Sequence, residues 1–156
     1  MRRAERQVTD LETIGDIVRR CKVVRIGLED AEGPYIVPVN FGYEMSEDGR
    51  LVLYIHSAGE GRKVKAFCAG RPVAVEMDCS HELVAGELPC QFSYLYQSLI
   101  GVGEPKRIAD VQDKKDALNK IMLHQSGKEF VFTDDSVSGV EVFEILIGEY
   151  TVKQYR

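Results

Sequence analysis

The chain has 156 residues, 44% of them hydrophobic, enough for one core and too few for two comfortable domains, so residues 1–156 read as a single globular domain. A net charge of −5, a pI near 5.3 and 20 scattered basic residues leave no electrostatic footprint for nucleic acid. No apolar segment follows the charged start "MRRAERQVTD" and no run approaches the roughly 18 apolar residues of a membrane span, so a soluble, cytoplasmic protein is expected.

Leu11, Ile14, Val18 and Cys21 recur at helical spacing, and Thr9 with Glu12 fits a capping box, which predicts a helix over 10–20. "KVVRIGLED" and "YIVPVNFGYE" then read as two strands of a hairpin around "EDAEGP". In the second, Tyr35, Val37, Val39, Phe41 and Tyr43 share a core-facing side. "RLVLYIH" gives a third strand, and Val64, Phe67 and Cys68 with a stop at Gly70 give a short helix. "RPVAVEMD" is a fourth strand, "CSHELVAGELPC" an irregular excursion, and "QFSYLYQSLIGVGEPKRI" a long fifth strand. "DVQDKKDALNKIMLHQ" returns to helical spacing before a closing strand, "GVEVFEILIGEYTVKQY".

Most of these strands follow one another without a helix between, which argues against a doubly wound parallel sheet. The fold class expected is mainly β with inserted short α-helices: an antiparallel sheet closed into a barrel. Four cysteines, Cys21, Cys68, Cys79 and Cys90, lie far apart without a CxxC pair and read as reduced thiols. Cys79, His81 and Cys90 lack an obvious fourth ligand, so no metal site is expected.

Two features bear on chemistry. In "HSAGEGRKV" a strand end, a small-residue turn and a helix start coincide. Ser57 supplies a hydroxyl, Gly59 and Gly61 allow close approach, and Arg62 and Lys63 supply charge for a phosphate; equally, the turn could be only a turn beside a solvated helix face. Neither nucleotide fingerprint, GxxxxGK[ST] or GxGxxG, is present. Pro38 cannot donate to a strand ladder, so it belongs on an edge, at a bulge, or where something other than another strand lies alongside. The backbone of Val39 and Asn40 beside it could serve either an ordinary edge or a flat heteroaromatic ring.

Taken in order, "PYIVPVNFGYE", "LYIHSAGEGRKV", "VAVEMD" and "YQSLIGVGEP" resemble the pyridoxamine-5'-phosphate-oxidase-like flavoproteins with the FMN-binding split barrel, and most of all their nitroimidazole-resistance (Nim) branch, over residues 2–152. The resemblance implies a homodimer with FMN at the subunit interface. By its motifs, Pro38, Val39 and Asn40 run beside the isoalloxazine, Tyr54, His56 and Ser57 line the ring and ribityl side, and Gly61, Arg62 and Lys63 take the phosphate. Tyr96, Gln97 and Ser98 fall where the family brings residues to the flavin, often from the partner subunit. His56 is the catalytic candidate, as a proton donor to a substrate reduced at the flavin or as a hydrogen-bond partner of the cofactor alone. The substrate-binding arginine and histidine pattern of true pyridoxamine-phosphate oxidases has no counterpart in "GEYTVKQYR". The resemblance therefore implies an FMN-dependent oxidoreductase acting on nitroaromatic compounds. The alternatives are a flavin- or haem-binding protein without turnover, or a reductase using a deazaflavin.

Overall fold

In the computed structural model of the chain, which describes residues 3–156, the alternating patterns become one antiparallel sheet. Its strands are β1 (Gln7–Val8), β2 (Val23–Asp30), β3 (Gly33–Asn40), β4 (Gly42–Met45), β5 (Leu51–Ala58), β6 (Val73–Val84), β7 (Ser93–Ile108) and β8 (Val140–Tyr155). They lie in the order β3-β2-β6-β7-β8-β5-β4, with β1 added beside β8. The two ends of this path, β3 and β4, are consecutive in the chain and joined through Phe41 alone. The sheet therefore curls back on itself and its open ends meet at a seam: it is the expected split barrel.

Period-two burial produces the curl. Leu51, Leu53 and Ile55 of β5, Val73, Val75 and Met77 of β6, and Phe143, Ile145 and Ile147 of β8 all turn into the barrel. Helix α1 (Leu11–Arg20) adds Ile14, Ile17 and Val18 to this core, and α2 (Arg62–Cys68) adds Val64 and Phe67, whose ring meets Phe143 edge-on at 5.2 Å between centroids. The cap of α1 is Asp10 rather than Thr9. The first helical residue is Leu11, so the side chain in reach of the third helical amide is that of Asp10, which accepts from the Thr13 N–H at 2.8 Å.

A second, smaller core lies outside the barrel. Helix α3 (Val111–Ser126), capped by Asp110, packs with α4 (Asp134–Ser138) over Tyr54 and Val142 through Ala117, Leu118, Ile121 and Val137. Gly42 permits this: a Cβ there would stand 2.4 Å from the Ile121 amide nitrogen, so helix and strand backbones touch.

The structure departs from the sequence expectation in three places. Residues 35–44 are two strands, because the chain changes partner from β2 to β5 at Phe41. Residues 79–84 continue β6 instead of forming an irregular excursion; a register shift between Cys79 and Glu82, with Ser80 at φ 59°, absorbs the irregularity inside the ladder. The two-residue β1 and five-residue α4 are too short to leave a periodic signal.

Candidate functional site

The register of β4 on β5 defines the seam. Gly42 is the last residue of β4 to pair, opposite Tyr54, so Ile55–Ala58 of β5 have a strand only on the β8 side. Beyond Phe41, β3 pairs only with β2. Two strand edges with unpaired backbone groups therefore flank one gap, and Pro38, Val39 and Asn40 lie on the first of them. On an edge, the missing N–H of Pro38 costs no ladder bond.

Helix α2 bridges the far end of the gap through Arg62. Its Nε and Nη2 donate to the two carboxylate oxygens of Asp30 at 2.7 and 2.8 Å, Nη2 also donates to the Gly33 carbonyl at 3.1 Å, and the guanidinium lies 4.5 Å from the centre of the Tyr35 ring. The guanidinium holds the Asp30 carboxyl down to about 2. A hollow of about 450 Å³ opens beside this pair, lined by Asp30, Arg62, Lys65 and Arg71 among others. Arg62, expected on a phosphate, is engaged here with the β2–β3 turn.

Lys63 differs. No acidic side chain among the described residues reaches it, and burial alone lowers the pKa of its ammonium. His56, on the outer face of β5 opposite Val142, lies close enough to feel that charge; partial burial and then Lys63 lower its pKa from the ordinary 6.5. Ser57 follows on the same strand. Gly61, at φ 132°, turns the chain into α2 with a backbone that side-chain-bearing residues rarely adopt. Lys63 thus brings a positive charge near His56 at this end of β5.

The other end is closed by a hydrogen-bond network that no local sequence signal announces. Asn40 Nδ2 donates to the Lys22 carbonyl at 3.0 Å and to Gln125 Oε1 at 3.2 Å, and Gln125 Nε2 donates to the Phe41 carbonyl at 2.8 Å. His124 sets Nδ1 2.8 Å from the same Phe41 carbonyl and Nε2 3.2 Å from that of Arg19. Tyr54 shares the outer face with His56 but is covered by α3. Its hydroxyl donates to Glu44 at 2.7 Å and accepts from Lys120 Nζ at 3.3 Å, while Lys120 also pairs with Glu44 at 2.8 Å. Asp30, Glu44, Lys120 and His124 are the residues that sequence reasoning missed, because each meets its partner across a long stretch of chain.

Tyr96, Gln97 and Ser98 are not brought to the seam of the same chain. On β8 they pair with Tyr155, Gln154 and Lys153, whereas His56 pairs with Val142. Eleven strand steps separate Val142 from Lys153, on the order of 30 Å. Gln97 points into the barrel, is 2% exposed, and donates to Gln154 Oε1 at 3.1 Å. The outer face of the sheet exposes Ile36, Ile100, Val102 and Leu146. Among the described residues no group of acidic, histidine and cysteine side chains could hold a metal, and no helix is long and apolar enough to cross a membrane.

The profile of the family described as pyridoxamine 5'-phosphate oxidase matches residues 10–154. The structure of a proposed 5-nitroimidazole antibiotic resistance protein from Bacteroides thetaiotaomicron is similar at 31% identity and a TM-score of 0.81, over 95% of this chain and 86% of that one. The flavocytochrome Anf3 from Azotobacter vinelandii matches at 19% identity and a TM-score of 0.81, over 100% of this chain and 72% of its own. An FAD- and haem-binding protein from Mycobacterium smegmatis matches at 18% identity and 0.79, over 97% and 74%. These last two share the fold. No curated protein is similar to the chain by sequence.

Proposed function

The chain belongs to the pyridoxamine 5'-phosphate oxidase family, and on that premise we propose that it is a flavoprotein which holds FMN along the seam and reduces small nitroaromatic compounds of the 5-nitroimidazole kind. The observation that carries the reading is the charge of Lys63: partly buried and reached by no acidic side chain among the described residues, it lies near His56 at the end of a gap edged on both sides by free backbone groups. Those residues fit a planar group with a phosphorylated tail. A phosphate satisfies the lone ammonium, and ring donors and acceptors satisfy the edges around Pro38, Val39 and Asn40.

When bound, the flavin supplies the transfer of electrons. The chain's own residues do the rest. Lys63, with the Ser57 hydroxyl and the turn at Gly61, holds the phosphate. Arg62 fixes α2 against the β2–β3 turn, so Lys63 is in place before the cofactor arrives. His56 stands on the open outer face, where its imidazole can hydrogen-bond the cofactor or hand a proton to a substrate above the ring.

The separation of Tyr96 and Ser98 from the seam supports a homodimer in which each chain lends these outward-facing residues to its partner's site. The apolar outer sheet face supplies a surface for that pairing. Similarity at 31% identity to a proposed nitroimidazole-resistance protein supports the nitroaromatic substrate. The likeness of fold to a flavocytochrome and to an FAD- and haem-binding protein favours a second reading, binding without turnover.

An absorption spectrum of the purified protein tests both. We expect flavin bands near one per chain, bleached by an anaerobic reductant and restored by a 5-nitroimidazole. Bands that the nitro compound does not restore favour binding alone; a protein that ignores added FMN removes the flavoprotein reading.

A further inference from the structure

Two of the four cysteines are brought together although they lie far apart in sequence. Cys21 ends α1, and its N–H donates to the Ile17 carbonyl at 3.1 Å; the Sγ of Cys79 lies 4.0 Å from that same oxygen. The residues beside them are joined as well, since Arg20 Nη1 donates to Ser80 Oγ at 3.2 Å. Cys79 packs against the same core cluster that holds Cys21. The register shift after Cys79 and the left-handed backbone of Ser80 set this orientation, and Gln97 Oε1 lies 3.9 Å from Cys79 Sγ. Cys21 is 1% exposed and Cys79 half-buried, while Cys68 and Cys90 are exposed elsewhere.

We propose that Cys21 and Cys79 are an oxidisable dithiol, at which a hydroperoxide forms a disulfide that staples the end of α1 to β6. Cys79 is the attacking residue because it is the one that solvent reaches. Its thiolate sulfur attacks the peroxide, the O–O bond breaks, and the departing hydroxide takes up the thiol proton as water, leaving Cys79 as a sulfenic acid. The sulfur of Cys21 then attacks that sulfur, the S–O bond breaks, and a second water leaves with the Cys21 proton. In sum, two thiols give two electrons and two protons to one hydrogen peroxide, and two waters form. Burial and the neighbouring Cys79 push the Cys21 thiol up, so it stays protonated until its partner is activated. Ser80 Oγ donates to Cys79 Sγ at 3.7 Å and is itself tied to Arg20, which holds the Cys79 side chain in place beside the end of α1.

The test uses the full chain with Cys68→Ser and Cys90→Ser, so that only the two thiols in question remain. After exposure to hydrogen peroxide, the unfolded protein is treated with an alkylating agent. We expect both thiols to be lost, the monomer to be lighter by two hydrogens, and a thiol reductant to restore both; adding Cys79→Ala should abolish the protection of Cys21. Two thiols that stay alkylatable, an oxygen-bearing Cys79 beside a free Cys21, or disulfides only between chains would each overturn the proposal. Should the double serine variant fold poorly, peptide mapping of the oxidised wild-type chain decides it: a cross-linked peptide pair carrying Cys21 and Cys79 supports the site, and its absence removes it.

Discussion

Arg62 and Asp30 meet across thirty-two residues in a two-pronged contact, Nε to Oδ2 at 2.7 Å and Nη2 to Oδ1 at 2.8 Å, and this contact ties the helix after the glycine turn to the hairpin that begins β3. Asp30 is held at about 2, below its ordinary 3.8, so the unfolded chain binds its proton first as the medium acidifies. The stability it contributes is complete above that ordinary value and disappears as pH falls through about 2. Asp30→Asn should therefore melt below the wild type at neutral pH, with the gap closing between pH 4 and pH 2 (~2 pH units). Thermal unfolding across that range checks it; a gap independent of pH would mean that packing, not the ion pair, is responsible.

Lys63 and Arg62 should behave differently towards FMN. A charge-assisted hydrogen bond is worth about 1.5–3 kcal/mol, so Lys63→Met is expected to raise the FMN dissociation constant by roughly 10- to 100-fold. Arg62→Lys, which disturbs a guanidinium already engaged with Asp30, should raise it less. Fluorescence titration of the flavin measures both, and equal losses would put Arg62 directly on the phosphate.

His56 should titrate below 6.5 in the flavin-free protein, because burial and the Lys63 charge both disfavour the imidazolium. Replacing Lys63 by Met should move its titration upward. Proton NMR of the ring hydrogens reads this directly; a midpoint that does not respond to Lys63 would separate the two residues. If the imidazolium is the proton donor, turnover should fall as pH rises through the His56 midpoint.

Tyr54→Phe is expected to cost about 1 kcal/mol of stability, since its hydroxyl joins Glu44 and Lys120. Flavin retention should be unchanged, because α3 covers the ring. Denaturant unfolding and flavin titration of one preparation give both numbers.

Gly42→Ala should be the most damaging of these small changes. The added carbon meets helix backbone, not a flexible side-chain tip, at 2.4 Å from Ile121 N and 2.5 Å from Lys120 C. Overpacking of this kind costs about 1–3 kcal/mol, and here the strain would lift α3 from β4. An alanine variant as stable as the wild type would show that the helix can slide away without loss.

The barrel is legible in the sequence because apolar residues recur every second position, as at Leu51, Leu53 and Ile55. The site was legible only in part. The turn at Gly61 and the edge proline at Pro38 carry local signals, whereas the partner of Arg62 and the covering of Tyr54 depend on chain closure. Asp30 and Glu44 have nothing in their own neighbourhoods to mark them. Residues 79–84 escape the sequence pattern because a bulge interrupts alternation without ending hydrogen bonding.

The place of β8 has a consequence for how the chain reaches this structure. β8 sits between β7 and β5 and also carries β1, pairing Val8 with Val152 and Leu51 with Ile147. Until residues 140–155 dock, β4 and β5 have no sheet to join, and the sixteen-residue β7 presents an open edge. Contacts so remote in sequence close slowly, and an open edge of that length recruits strands from other chains. Assembly of the barrel is thus a race between the arrival of one strand and aggregation along its vacant neighbour.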